Sequence, residues 1–390
     1  MKQFRGRAFP YILAIYLIYT IIPSFSVYSL GGWALAAMLL CLLICGLITS
    51  PRAICKKPEN KVFVFGWCIV FLFSILIHGA IPGVMLMMCF VFCCFYLFLN
   101  KNVRQEAFTK YAWILSIFLF LSAVEYVFYM TTGKGVVLSS VTRVTEYRES
   151  HFFQFIFNII RTDNFIPRFQ GLFIEPGSLG TTCAFMLFAT WKMKSMKFPF
   201  FVFLICGMLS MSLAFYIYLL IFLMVNVKLS VKRLVMSSMI LIMFMSSFGE
   251  YFEAKIINRV NGVDNFEELD NRTSESMDRA FRKAMSSGEL IAGIGIGKTP
   301  DSLSYDGGNA GAKKWIYEYG IISLVIVFLI YNLVYYRRCD NKLEYGDWIF
   351  LIVYWITFYK SVSFLVPSLF AVYSIMPELN KTNNSSLWKK

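Results

Sequence analysis

The sequence is poor in charge and holds only two histidines among its 390 residues. Charged side chains account for 15% of the chain and apolar ones for 58%. A soluble domain has about a quarter of its residues charged, so this composition excludes an ordinary soluble protein. Apolar runs of about 20 residues recur, which is the length at which a helix crosses the hydrocarbon core. Because the two-residue alternation of membrane barrels is absent, the sequence predicts an all-α integral membrane protein.

Metal-ligand sets and the common catalytic motifs are missing as well. The ten cysteines fall in apolar runs or short basic loops, which disfavours a disulfide framework, and their spacing fits no zinc site. The sequence contains no nucleophile elbow, no nucleotide-binding motif and no visible internal repeat. We therefore expect neither a metal nor a cofactor.

The apolar runs predict about twelve transmembrane helices. In chain order, these spans are 9–28, 30–49, 62–79, 82–100, 111–130, 171–191, 198–211, 213–227, 234–250, 315–336, 347–360 and 361–377. The seventh and eighth spans divide one apolar stretch between them, as do the eleventh and twelfth, and each of these four is short for a full crossing. The scheme divides the chain into an N-terminal bundle (1–130), a first loop (131–170), a central bundle (171–250), a second loop (251–314) and C-terminal helices with a tail (315–390).

The basic residues set the predicted orientation. With the N-terminus inside, the segments on that side hold 22 of the 37 Lys and Arg residues, as expected for cytoplasmic loops. The net charge of +14 is thus an orientation signal and does not indicate nucleic-acid binding. Both termini are predicted to be cytoplasmic. The two long loops are predicted to face outward, and function is expected there because long loops are uncommon otherwise.

The first loop ends in RFQGLFIEPGSLG at 168–180. Pro176 suits the first position of a helix and leaves Glu175 near its N-cap. One interpretation makes Arg168 an interfacial anchor that is ion-paired with Glu175. The other makes Arg168 a phosphate ligand, because its planar guanidinium matches phosphate oxygens at two points. The aromatic stretch HFFQFIFNII at 151–160 is expected to lie along the membrane interface.

The second loop contains a helical pattern followed by a glycine-rich segment. In ESMDRAFRKAM, the apolar positions recur at helical spacing: Met277, Phe281 and Met285. Arg272 and Arg279 are seven residues apart and share a face if the helix extends back that far. GIGIGK at 293–298 matches neither the dinucleotide fingerprint nor the phosphate-binding loop, and it predicts a tight turn after the helix.

The order of these features resembles the O-antigen polymerases of bacterial envelopes and the related O-antigen ligases. The matching pieces are RFQGLFIEP, the arginines Arg272 and Arg279, ELIAGIGIGK and KKWIYEYGIISL. The resemblance implies a GT-C-like glycosyltransferase architecture with two large periplasmic loops, in the bacterial inner membrane. It also implies a substrate, undecaprenyl-pyrophosphate-linked oligosaccharide, that serves as both donor and acceptor. The implied partners are the chain-length regulator and the flippase of the same pathway.

The resemblance further implies roles for cationic residues of the two loops. The growing glycan would leave its lipid pyrophosphate, where charge develops as the glycosidic bond breaks, and preorganised guanidinium groups stabilise such charge. This role is assigned first to Arg168 and Arg272, and then to Arg279. Arg161 and Lys298 are the further candidates for substrate binding.

The general base is left open. Glu175 is one candidate to accept the proton of the acceptor hydroxyl, or else it holds Arg168 in place. Asp306 is the alternative base, on a loop able to close over the acceptor. In the ligases, a histidine of the second loop is associated with activation of the acceptor. DGGNAGAKKW stands at that place in this chain and contains no histidine, which favours a polymerase over a ligase.

A transporter, for example a flippase of the same lipid-linked sugars, is the second class of function. Glu125, Glu318 and Lys360 lie in or near predicted spans and would mark its pathway. Against this class, charge concentrates in the two outer loops, and the internal repeats usual in such transporters are not visible. An inert membrane subunit is the third option, and the basic residues of both loops on one face disfavour it.

Overall fold

The described part of the protein is mostly helical, with one small sheet. The computed structural model describes residues 2–21, 31–49, 57–145, 148–161, 168–173, 175–191, 193–226, 275–299, 311–360 and 366–387. The helices within these ranges are α1 Lys2–Tyr19, α2 Gly31–Thr49, α3 Pro58–His78, α4 Val84–Phe98, α5 Lys101–Thr132, α6 Pro176–Trp191, α7 Lys197–Leu209, α8 Leu213–Asn226, α9 Glu275–Ser286, α10 Gly311–Arg338, α11 Tyr345–Lys360 and α12 Pro367–Leu387. The strands are β1 Ser139–Thr145, β2 Arg148–Gln154 and β3 Ile159–Arg161.

Helices occupy eleven of the twelve predicted spans, and the ninth span, 234–250, lies outside the described residues. The two apolar stretches that were divided in the sequence are each two separate helices, α7 with α8 and α11 with α12. Helix α5 starts earlier than predicted, at Lys101, because Asn100 caps it. The side-chain oxygen of Asn100 accepts a hydrogen bond from the backbone N–H of Asn102 at 3.3 Å.

Three of the described helices, α3, α5 and α10, are long and apolar enough to cross a membrane. Their outer surfaces are apolar too: Phe65 and Leu76 on α3 are 69% and 82% exposed. A continuous apolar outer surface is unfavourable in water and suits contact with lipid. The chain is therefore a membrane protein.

The prediction of an all-α fold is wrong for the first loop, which forms an antiparallel sheet in the order β1–β2–β3. Ser139 pairs with Gln154 at one end of the first hairpin, and Thr145 pairs with Arg148 at the other. The segment SSVTRVT is rich in β-branched residues, which favour strands. The aromatic stretch 151–160, expected along the membrane interface, supplies the end of β2, a turn and the start of β3.

Polar side chains of α5 hold this sheet on the helix bundle. Both carboxylate oxygens of Glu125 accept backbone hydrogen bonds from the turn after β2, from the N–H of Ile156 at 3.1 Å and from that of Phe157 at 2.9 Å. The side chain of Asn158 donates to the carbonyl of Ser122 at 3.2 Å. Glu125 was a candidate for a transport pathway, and these contacts give it a structural role at the end of α5.

The core between the C-terminal helices is aromatic. The rings of Tyr354 on α11 and Tyr373 on α12 lie 4.9 Å apart, and Tyr331 on α10 lies 5.2 Å from Tyr373. Gly66 allows Ile330 of α10 to pack directly against the backbone of α3, as small residues do between membrane helices.

Helices α3 and α10 run antiparallel. Asn60, near the start of α3, bonds to Arg338 at the end of α10. His78, at the end of α3, contacts Ala292, which packs against Gly320 near the start of α10. This contact positions the second loop.

Candidate functional site

Helix α9 of the second loop is amphipathic, as the sequence predicted. Its apolar stripe consists of Met277 and Ala284, which are buried, and Phe281, which is partly buried, and these pack with Leu290 and Tyr317. Met285 was predicted to lie on this face but is 65% exposed. The buried face instead contains Ala284, the residue before it. Arg279 lies on the solvent-exposed side of the helix.

The glycine-rich segment after α9 is a tight turn that is locked to the start of α10. The backbone N–H of Ile294 donates to the carbonyl oxygen of Tyr317 at 2.7 Å. Gly293 and Gly320 approach each other backbone to backbone, and a methyl group on Gly293 would lie 2.6 Å from the nitrogen of Gly320. Gly320 interrupts α10 with φ 82° and ψ 164°, a conformation essentially restricted to glycine.

Glu318 fixes the other end of this turn. Its carboxylate is buried and accepts a hydrogen bond from the N–H of Gly297 at 3.3 Å. Lys314, one turn earlier on α10, lies 4.0 Å from the same carboxylate. Lys313 joins α10 to α9 through an ion pair with Asp278 at 3.0 Å. Glu318, the second candidate for a transport pathway, thus has a backbone partner that explains its burial.

Sequence reasoning missed a histidine at this place. The Nε2 of His78, the last residue of α3, lies 3.0 Å from the carbonyl oxygen of Ala292, a residue 214 positions away. Since a carbonyl only accepts hydrogen bonds, Nε2 is the donor in this contact, and Nδ1 takes no part in it. His78 and Lys298 flank Gly295, because a methyl group on Gly295 would lie 3.5 Å from Cβ of His78 and 3.4 Å from Cδ of Lys298.

We call residues 275–299, the first turns of α10 (311–320) and His78 the glycine-turn platform. Its exposed or partly exposed cationic side chains include Arg279, Arg282, Lys283, Lys298 and Lys314. The buried carboxylate of Glu318 accepts a hydrogen bond from the backbone N–H of Gly297 and lies near Lys314. The platform therefore presents positive charge and a histidine nitrogen beside a rigid turn.

Arg168, for which the sequence allowed two interpretations, lies at the C-terminal end of α7, outside the platform. Its Nε and Nη2 donate to the carbonyl oxygen of Ser210 at 3.2 and 3.1 Å, and Nη2 donates to that of Met211 at 2.7 Å. These carbonyls close the C-terminus of α7, where a cation is favourable. The contacts support the anchoring role for Arg168, and they also fix the orientation of its guanidinium group. Its phosphate-binding role stays a prediction.

Glu175 directly precedes α6, which starts at Pro176 as predicted. Its carbonyl accepts the first bonds of that helix, from the N–H groups of Ser178 at 3.1 Å and Leu179 at 3.2 Å, and its side chain is exposed. Arg161, another predicted substrate ligand, ends β3, and its guanidinium lies 5.9 Å from the ring centroid of Phe152.

The structure thus places the predicted site residues in separate groups. Lys298 and Arg279 belong to the glycine-turn platform. Arg168 contacts the C-terminal end of α7, Glu175 directly precedes α6, and Arg161 lies on the sheet. Arg272 and Asp306 lie outside the described residues, so the predicted convergence of Arg168 and Arg272 stays a prediction. In the part of the chain that the structure describes, no group of three His, Cys, Asp or Glu side chains is placed to hold a metal.

Replacing Gly320 by alanine is expected to detach the glycine turn from α10. A methyl group there would lie 2.6 Å from the carbonyl oxygens of Ile291 and Ala292, and the backbone would be strained by about 1–3 kcal/mol. We expect limited proteolysis within 275–299 to become at least about fivefold faster, because cleavage follows the population of the open turn. Gly288→Ala is the matched control, since Gly288 has φ 76° with open space around it. Equal acceleration in both variants would contradict the docking role of Gly320.

No protein-family model, curated protein or solved structure matches this chain. The family resemblance therefore rests on the motif residues themselves.

Proposed function

We propose that this protein is a membrane glycosyltransferase that polymerises undecaprenyl-pyrophosphate-linked repeat units of an O-antigen or a related surface polysaccharide. The reaction would take place at the periplasmic face of the bacterial inner membrane. The growing glycan is transferred from its lipid pyrophosphate to the non-reducing-end sugar of a new repeat unit. The observation that carries the proposal is the glycine-turn platform, in which a basic turn is locked to a membrane helix beside a histidine.

The donor of this reaction needs a cationic site at the level of the lipid headgroups. Lys298 lies on the rigid turn, and Arg279 is exposed on the helix before it. Both belong to the loop that is predicted to face outward, where the lipid pyrophosphate would lie. Backbone contacts to α10 fix the turn that carries Lys298, so the backbone position of this residue is set before substrate arrives, which favours stabilisation of a developing negative charge.

The proton of the acceptor hydroxyl needs a base. In a direct displacement, the hydroxyl oxygen bonds to the anomeric carbon while the bond to the pyrophosphate oxygen breaks, and the hydroxyl proton passes to the base. Nδ1 of His78 is suited to this role, since the bond from Nε2 to Ala292 fixes the ring and leaves Nδ1 able to accept a proton. His78 is thus a third candidate for the base, in addition to Glu175 and Asp306. Direct displacement, with inversion, is preferred because no nucleophile for a covalent intermediate is evident.

A ligase is the second candidate, and His78 is the observation that favours it. The absence of histidine from the second loop argues for a polymerase, yet a histidine from α3 reaches the glycine turn from outside that loop. The acceptor decides between the two, since a polymerase extends a lipid-linked repeat unit and a ligase transfers the glycan to the lipid A core. The flippase alternative loses support, because Glu125 and Glu318 both have backbone partners that account for them.

Deletion of the gene separates these functions in a strain that depends on the protein for its surface glycan. For a polymerase, we expect the ladder of long chains to collapse to the core carrying one repeat unit. Loss of even the single repeat would indicate a flippase instead. Accumulation of unattached lipid-linked polymer would indicate a ligase. Electrophoresis of extracted lipopolysaccharide, with complementation by the intact gene as control, gives the readout.

A further inference from the structure

A second charged cluster lies at the opposite end of α3 from His78, where α3, α4, α5, α10 and α12 meet. Arg104 on α5 and Arg338 on α10 are only 3% and 5% exposed. Both contact one carboxylate, that of Glu378 on α12: Nη2 of Arg104 pairs directly with its Oε1, and Nη1 of Arg338 lies 3.9 Å from the same oxygen. Asn60 accepts a hydrogen bond from Nη2 of Arg338 at 3.0 Å.

The two arginines also close the end of α4. Arg104 Nη1 donates to the carbonyl oxygens of Leu97 at 3.0 Å and Leu99 at 2.6 Å, and Arg338 Nη2 donates to Leu97 at 3.2 Å. The Nε atoms of both arginines are buried, and they have no hydrogen-bond partner among the described residues. Buried polar groups in native proteins usually have a partner, so these two donors point to a group that completes the cluster.

A cavity of about 110 Å³ lies beside the cluster. It is lined by four cationic side chains and one carboxylate: Lys57, Lys101, Arg104, Arg338 and Glu378. A single water needs only about 10–15 Å³ of such space, so the cavity has room for a polyatomic ion or for several waters. Helices α3 and α5 both begin at this cavity, and their N-termini add to its positive potential.

The described side chains that line this cavity carry more positive than negative charge. Four cations line it with one carboxylate, and Glu59, which is not among the lining residues, lies 3.7 Å from Lys57. For the buried guanidinium groups of Arg104 and Arg338, an uncompensated charge is unfavourable. A phosphate group, with several acceptor oxygens and a full negative charge, suits guanidinium and ammonium groups together.

We propose that this cavity binds a phosphate group on the predicted cytoplasmic side of the membrane. The group is carried either by an anionic phospholipid, whose headgroup fits a basic pocket between membrane helices, or by a soluble phosphate compound. The site shares no residue with the glycine-turn platform, so it does not depend on the proposed glycosyl transfer. The side chains that face the surface, Lys57 and Lys101, attract the anion, and the buried arginines lie behind them.

Binding is tested on the full chain purified in a neutral detergent, with phosphatidylglycerol, phosphatidylcholine and inorganic phosphate as probes. The variant is Lys57→Ala/Lys101→Ala, and the matched control is Lys61→Ala/Lys342→Ala, which removes the same charge from exposed positions that are not among the lining residues of the cavity. We expect native mass spectrometry to detect phosphatidylglycerol but not phosphatidylcholine on the wild type, and at least about fivefold less of it on the variant only.

Two outcomes support the site and separate its sources. Selective loss of phosphatidylglycerol from the variant identifies a lipid headgroup. A rise of Tm with millimolar inorganic phosphate, absent with chloride of equal ionic strength and absent in the variant, identifies a soluble phosphate. If the wild type, the variant and the control respond equally to all three probes, the proposal is overturned. Because Lys57 is 55% exposed in its side chain and lies outside the core, the variant is expected to fold.

Discussion

Replacing His78 by glutamine is expected to slow chain extension roughly 10²- to 10⁴-fold, the usual contribution of a general base. Glutamine keeps a side-chain N–H that is able to donate to the carbonyl of Ala292, so the link between α3 and the glycine turn survives. It lacks a nitrogen that accepts a proton at neutral pH. The measurement is the ladder of surface glycan in a deletion strain that carries the variant, which should shrink to the core with one repeat unit at normal protein level.

The only other histidine of the sequence, His151, provides the matched control. It lies on β2, where its backbone pairs with Thr142 of β1, and we assign it no role in the reaction. His151→Gln should leave the ladder unchanged. A full ladder from His78→Gln would exclude His78 as the base and return the role to Glu175 or Asp306, without affecting the proposed function. If gene deletion also leaves the ladder intact, the proposed function itself is wrong.

The helices were the most predictable part of the fold. A helix that crosses a membrane satisfies its own backbone, so an apolar run of sufficient length defines it locally. The divisions between α7 and α8 and between α11 and α12 followed from the same length argument, and both pairs are separate helices. The bounds were less accurate, since α5 is extended by a side-chain cap at Asn100. The sheet of the first loop was missed, because its strands are short and the adjacent aromatic stretch resembled an interfacial segment.

The candidate site was predictable only in part. The period of α9 and the glycine content of 293–298 indicated a helix followed by a tight turn, since both are local signals. The contact of His78 with Ala292 joins residues 214 positions apart, and no local pattern indicates it. Arg168 illustrates a related limit. The partners of its guanidinium are the backbone carbonyls of Ser210 and Met211, and every residue carries such a carbonyl.

Two arginines near the predicted cytoplasmic ends of the helices have a structural role that a count of basic residues does not reveal. Arg104 and Arg338 were counted among the basic residues that orient a chain in the membrane. Orientation needs positive charge near the surface, yet these two side chains are almost fully buried. A buried guanidinium has to be paired, and Glu378 supplies the pairing from α12. A basic residue therefore serves topology at Lys342 and tertiary structure at Arg338.

Glu378→Ala is consequently expected to lower the free energy of unfolding by about 3–5 kcal/mol, because it leaves two buried guanidinium groups without their carboxylate. The change also removes the ion pairs that join α12 to α5 and α10. Thermal or denaturant unfolding of the purified protein in detergent measures it. Glu106→Ala is the matched control, since Glu106 is exposed on α5 two positions after Arg104, and its loss should change stability by no more than about 0.5 kcal/mol.

Glu378→Gln separates the contribution of the charge from that of the hydrogen bond. The amide oxygen is able to accept from Arg104, but it does not compensate the two positive charges, so the loss of stability should fall between those of the control and the alanine variant. If all three variants unfold like the wild type, the arginines are not held by Glu378. Their charge would then be balanced chiefly by the carbonyls at the end of α4 and by a bound anion, and a phosphate probe should stabilise the alanine variant more than the wild type.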